Sequence, residues 1–182
     1  MGKVHIITLA RLNRAARKVT GELRHHGLWC DRLREVPIVL VPVGYAYGWQ
    51  CYGGTGEICI PRVSLLKLYD YFTGNYIGLA DVIRHEYAHA IADNHRGLFR
   101  SKRFTNAFGQ PHESSVASKY DAAHHVSAYA ATEAGEDYAE TFMFFLRHRG
   151  VLPNKHTTEM IRSKWRFIQS LCRAIHNGQG RW

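Results

Sequence analysis

Residues 85 to 89 read His85-Glu86-Tyr87-Ala88-His89, inside a stretch from Leu79 to His95 that reads as a helix. It opens after Gly78 with Asp81 in its first turn. On a helix, positions i and i+4 stand one above the other, so both imidazoles can reach one point while Glu86 projects beside them. Two imidazoles and a neighbouring carboxylate at that spacing suit a zinc ion with a water set between metal and carboxylate. A chain with 12 histidines carries an HExxH by accident about four times in a hundred, so the motif needs context. That context is its helical placement and a third ligand from elsewhere in the chain.

Two third ligands offer themselves. His95 completes HEYAHAIADNH, the ligand spacing of the metzincin class. That class has glycine where this chain has Ala92, at the turn that brings the last histidine round. A helix running straight through Ala92 carries His95 away from the metal, where an imidazole near a helix C-terminus is ordinary. The other candidate is Glu136, 47 residues beyond His89, in Glu136-Asp137-Tyr138-Ala139-Glu140-Thr141-Phe142. Acidic residues also favour a first helical turn on dipole grounds alone.

Ahead of Glu136 stands Ser127-Ala128-Tyr129-Ala130-Ala131-Thr132, with Tyr129 seven residues before the glutamate. Taken with HEYAH, these segments resemble the gluzincin metallopeptidases, especially the group similar to the catalytic domain of anthrax lethal factor and to bacterial zinc-binding metallopeptidases. The resemblance covers roughly residues 79 to 148. It implies a zincin-like fold and a zinc-dependent endopeptidase acting on a protein or peptide substrate. By the same resemblance His85, His89 and Glu136 hold Zn2+, Glu86 is the general base, Tyr129 a hydroxyl donor, and Glu140 a carboxylate behind the ligands. The residues agree. A His, His, Glu set leaves one zinc position open, as a catalytic site requires. Glu140 lies at i+4 from Glu136 and can accept the far N–H of a ligand imidazole. Glu133, Asp137 and Asp93 read as solvated carboxylates, and His124 and His125 as an exposed loop pair or cleft lining.

The formal charge is +9, which by itself points to polyanions. Divided along the chain it is uneven. Up to residue 36 there are eight basic residues against three acidic, and from 147 onward eight against one. Residues 37–95 carry three basic against five acidic, and 121–146 carry five acidic and no basic. The acidic stretches hold Glu86, Glu136 and Glu140. A basic nucleic-acid-associated zinc protein, either a DNA-recruited protease or a non-catalytic binder, is therefore the secondary reading.

With 182 residues and 46% apolar residues, one folded domain spanning 1–182 is expected. No apolar run approaches the ~20 residues of a membrane span, and the N-terminus lacks the core of a signal peptide, so a cytoplasmic protein is expected. Four cysteines without a CxxC pair read as thiols, with a Cys51 to Cys59 cross-link over a short turn as the alternative. The fold class is α+β. An amphipathic first helix (apolar face Leu9, Leu12, Ala16, Val19, Leu23) precedes a strand over Glu35 to Val43 and a hairpin (Tyr45, Tyr47, Trp49 and Cys51, then Glu57 to Ile60). The hairpin offers an edge to which an extended substrate could add. A short helix over Val63 to Phe72, the motif helix, a long loop from Arg96 to about Ser127, and helices near 133–148 and 157–176 complete the expectation.

Overall fold

The computed structural model describes residues 6–44, 48–52, 55–64 and 78–182. Helix α1 spans Leu9–His25, with Thr8 Oγ1 accepting the Arg11 N–H at its start. Its buried stripe is Leu12, Val19 and Leu23, each worth about 1.5–3 kcal/mol when withdrawn from water. Leu9, expected on that face, is 61% exposed because it stands in the first turn before the helix meets the core. A short α2, Asp31–Arg34, leads into the sheet.

Strands β1 (Ile38–Gly44), β2 (Gly48–Tyr52) and β3 (Thr55–Ser64) form a mixed sheet in the order β1-β3-β2. β1 runs parallel to β3, with Ile38 opposite Ile58, and β2 antiparallel to it, with Trp49 opposite Ile58. Pro42, which has no N–H to donate, is tolerated because β1 is an edge among the described strands. The expected hairpin is β2 and β3, but its second strand is central. Of the two, β2 is the edge strand among the described strands. Tyr45 and Tyr47 lie outside the described residues, as does the helix expected over 63–72 apart from Val63 and Ser64, which end β3.

The cross-link alternative fails on register. Cys59 stands opposite Gly48 and Cys51 opposite Gly56, three rungs apart, which is about 10 Å along a strand and beyond the ~7 Å Cα limit of a disulfide. Cys59 is a free thiol that donates to Glu57 Oε1 at 3.3 Å, and Cys30 and Cys172 are also free.

Helix α3, Leu79–Asn94, carries the motif and packs against α1, the sheet and α6. Two short helices, α4 (Arg96–Phe99) and α5 (Lys102–Phe108), interrupt the expected loop. A 3-10 turn at Tyr129–Ala131 precedes α6, Ala134–Arg147. A second 3-10 turn, Asn154–His156, leads to α7, Glu159–His176, whose Thr158 Oγ1 accepts the Ile161 N–H. On α7 the expected face is buried: Ile161, Trp165, Ile168, Leu171 and Ile175. One main core joins these helices to Ile58 and Ile60 of β3. No helix among the described residues is long and apolar enough to cross a membrane.

Two charged networks fix the site-bearing helices. Arg84, immediately before His85, is 3% exposed and grips Glu22 of α1 through Nε and Nη2, each at 2.7 Å, and also Asp81. Arg147 of α6 donates to the same Asp81 at 2.9 Å, so α1, α3 and α6 share one polar clasp. Asp137, expected to be solvated, is instead 3% exposed. The first turn of α6 faces α7, where Lys164 Nζ meets Asp137 Oδ2 at 2.6 Å and also donates to the His124 carbonyl.

Candidate metal centre

Two helices supply the donors. On α3, His85 and His89 lie one turn apart with Nε2 atoms 3.2 Å from each other. Glu136, in the first turn of α6, brings Oε2 to 3.0 Å from His85 Nε2 and Oε1 to 3.5 Å from His89 Nε2. His85, His89 and Glu136 are the one group among the described residues whose ligand atoms converge in this way, all lying within 4.8 Å of one another. Glu136 reaches each imidazole through a different oxygen. These contacts and the Nε2–Nε2 spacing, 3.0–3.5 Å, are of the size of a ligand–ligand edge in a tetrahedral site, about 3.3 Å when metal–ligand bonds are 2.0–2.1 Å. Glu136 Oε2 is buried, and despite its closeness to His85 no donor is aligned to hydrogen-bond it. A carboxylate with one orphaned oxygen, facing two imidazole nitrogens through its two oxygens, is an arrangement a cation satisfies. Mixed nitrogen and oxygen donors suit zinc better than calcium or magnesium, which take oxygen sets. The residues therefore fit a metal ion.

Behind His85 the carboxylate of Glu140 accepts from Nδ1 at 2.9 Å, which fixes Nε2 as the inward atom. Glu140 is held in turn by the Ser127 hydroxyl, which donates to Oε2 at 2.7 Å. Ser127 Oγ also accepts the Ala130 N–H at 3.1 Å, so the same serine starts the turn that carries Tyr129.

Glu86 is 7% exposed, and the backbone N–H of Trp49 donates to its Oε2 at 2.7 Å. The Trp49 indole N–H donates to Asp93 Oδ2 at 2.6 Å, so β2 is tied to α3 at two points. Gly56 lies directly under the Trp49 ring, where a Cβ would collide with the indole. Tyr129 stands 54% exposed with its ring centroid 5.9 Å from that of His85.

The electrostatics follow from crowding carboxylates around imidazoles. Burial works against a charged His85, but Glu136, Glu140 and Glu86 outweigh it and raise its pKa to about 10. Burial likewise opposes ionisation of Glu136, yet the two imidazoles hold it far below the usual carboxylate range. Glu86 is pushed up by burial, against the pull of both histidines and the Trp49 N–H. Tyr129 is raised by burial and by the surrounding carboxylates, so its phenol keeps its proton at neutral pH.

His95 takes no part. α3 runs straight through Ala92 to Asn94, and His95 caps it with Nε2 4.0 Å from Cys30 Sγ. His124 is exposed, whereas His125 is 8% exposed and bonds Ser118 Oγ at 3.2 Å. Asp93 is partly buried by Trp49 and pairs with Arg96 at 3.0 Å, and Glu133 remains at the N-cap of α6. Sequence reasoning missed two contributors. Ser127 stood inside the quoted segment without a role, and nothing local marked Trp49 as the donor to Glu86. Comparison with protein-family models, with curated proteins and with solved structures found no match to this chain.

Proposed function

We propose that this chain is a zinc-dependent metallopeptidase of zincin-like fold that cleaves internal peptide bonds of a protein or peptide substrate. The observation that carries the reading is the convergence of His85 Nε2, His89 Nε2 and the Glu136 carboxylate at 3.0–3.5 Å, with the buried Glu86 on the adjacent helix position. Bound zinc supplies Lewis-acid chemistry, polarising the scissile carbonyl and acidifying water. The chain does the rest. Glu86, with its raised proton affinity, takes the proton of the attacking water and delivers it to the departing amine nitrogen. Tyr129, protonated and solvent-facing beside His85, donates its hydroxyl to the oxygen that develops negative charge. Glu140 and Ser127 hold His85 in the tautomer that turns Nε2 inward.

A zinc site serving only structure ordinarily closes with four protein ligands. Three donors beside a buried carboxylate favour catalysis over a non-catalytic nucleic-acid binder. The test pairs metal content with hydrolysis of an unstructured protein substrate. Glu86→Gln is expected to retain zinc and lose hydrolysis, and full activity in that variant refutes the mechanism. Glu136→Ala is expected to lose zinc while His95→Ala keeps it, and the opposite result refutes the ligand set.

A further inference from the structure

The basic ends of the chain play no part in the metal centre, and the fold brings them together. α1 ends at His25 and α7 at His176, and Gly27 sits where these ends meet. Its φ is +71°, and a Cβ on it would stand 3.0 Å from His176 Cβ and Nδ1, so glycine permits the approach. Beside the contact lies a concavity of about 680 Å³ walled by Arg24, His25, Trp29, Arg34, Arg173 and His176. No carboxylate among the described residues lines it. Arg34 pairs with Asp31 at 3.0 Å, and Glu22, one turn back on α1, is taken by Arg84. Among the described residues Arg24 and Arg173 have no acidic partner: Arg24 lies 5.3 Å over the Trp29 ring, and Arg173 donates to Ser170 Oγ at 3.1 Å.

Basic residues at helix C-termini ordinarily cap the last carbonyls. Here the backbone already does so. The N–H groups of His26, Gly27 and Leu28 donate to Glu22, Arg24 and Leu23, and those of Asn177, Gly178 and Gln179 to Arg173, Ile175 and Ala174. The guanidinium groups of Arg24 and Arg173 thus lack an ion-pair partner among the described residues and share one hollow with Arg34, where an anion would relieve their mutual repulsion. Planar guanidinium forks match the oxygens of a phosphate, the volume suits a small organic ligand, and Trp29 supplies an apolar wall.

We propose that this concavity binds a phosphate-bearing ligand of nucleotide size, at a site separate from the metal centre. The phosphate could come from a free nucleotide or from a nucleic-acid strand. Calorimetric titration of the full zinc-loaded chain with ATP, inorganic pyrophosphate, adenosine and a short oligodeoxythymidine distinguishes them. ATP and pyrophosphate are expected to bind one per chain and adenosine not at all. Arg24→Ala and Arg173→Ala should each weaken binding about tenfold. Arg24→Glu should abolish it, with melting curves unchanged because both arginines are exposed. His85→Ala should leave it intact, separating phosphate binding from metal chelation. An oligonucleotide that binds more tightly than ATP with the same arginine dependence identifies a strand as the source, and the reverse order a free nucleotide. The proposal is overturned if no phosphate probe binds or if adenosine matches ATP. It also falls if Arg166→Ala, which removes an exposed cation of α7 paired with Glu159, weakens binding as much as Arg24→Ala.

Discussion

Glu140 does not face the proposed metal position, yet on the proposed reading metal affinity should depend on it. Its Oε1 receives the His85 Nδ1 proton at 2.9 Å, its Oε2 receives the Ser127 hydroxyl at 2.7 Å, and the side chain is 5% exposed. Removing such a partner from a ligand imidazole typically costs about 10–100-fold in metal affinity, or about 1.4–2.7 kcal/mol. Glu140→Ala should fall at the upper end, because His85 loses both its orientation and the charge that strengthens it as a ligand. Glu140→Gln keeps an acceptor oxygen without the charge and should cost about tenfold. Ser127→Ala leaves the carboxylate but frees it to rotate, for a loss of about threefold. Zinc affinity is read by competition with a chromophoric chelator at neutral pH, on samples whose circular dichroism matches wild type. A Glu140→Ala protein that binds zinc within about twofold of wild type refutes this reasoning, since the contact would then contribute nothing to ligation.

If Tyr129 is the proposed donor to the developing oxyanion, Tyr129→Phe should lower kcat about 10²-fold with zinc content unchanged, as steady-state kinetics and metal analysis together would establish. Lys164→Met strands the buried Asp137 carboxylate and should destabilise the fold by about 3–5 kcal/mol in denaturant titration, with Asp137→Leu in the same chain recovering most of it. In the metal-stripped protein the folded pKa of His85, about 10, exceeds its ordinary value of 6.5. The stability this contributes is fully present below pH 6.5 and lost as pH rises towards 10. Melting temperature in the presence of chelator should therefore fall across that window, whereas the zinc-loaded protein, whose proton the metal has displaced, should hold level. A flat metal-free profile would remove His85 as the responsible group.

What the sequence made legible is what one helix can encode. His85, Glu86 and His89 lie within five residues, and helical spacing alone places them on one face. Glu140 follows from Glu136 by the same rule, and the α7 face from its period. Contacts that depend on how elements are ordered in space were not legible. The Trp49 backbone N–H is generic in sequence, and its direction is set only when β3 takes the centre of the sheet and leaves β2 beside α3. Asp137 sits in an acidic first turn that reads as solvated, and its burial comes from Lys164, 27 residues later on another helix. Leu9 obeys the period yet lies beyond the core, because a repeat of 3.6 says which residues share a face and not where the neighbouring element begins.

The bond from Trp49 to Glu86 also sets up a competition. A residue has one backbone N–H, and at this rung of β2, an edge among the described strands, it is occupied by a carboxylate oxygen of the proposed base. Glu86 Oε2 thus stands where the carbonyl oxygen of a peptide added to β2 would stand. A chain pairing there would exchange one acceptor for another with no net loss of hydrogen bonds, and Glu86 would leave the exchange unrestrained. Occupation of the edge and readiness of the base would then be two readings of one equilibrium, each shifting the other by the same factor.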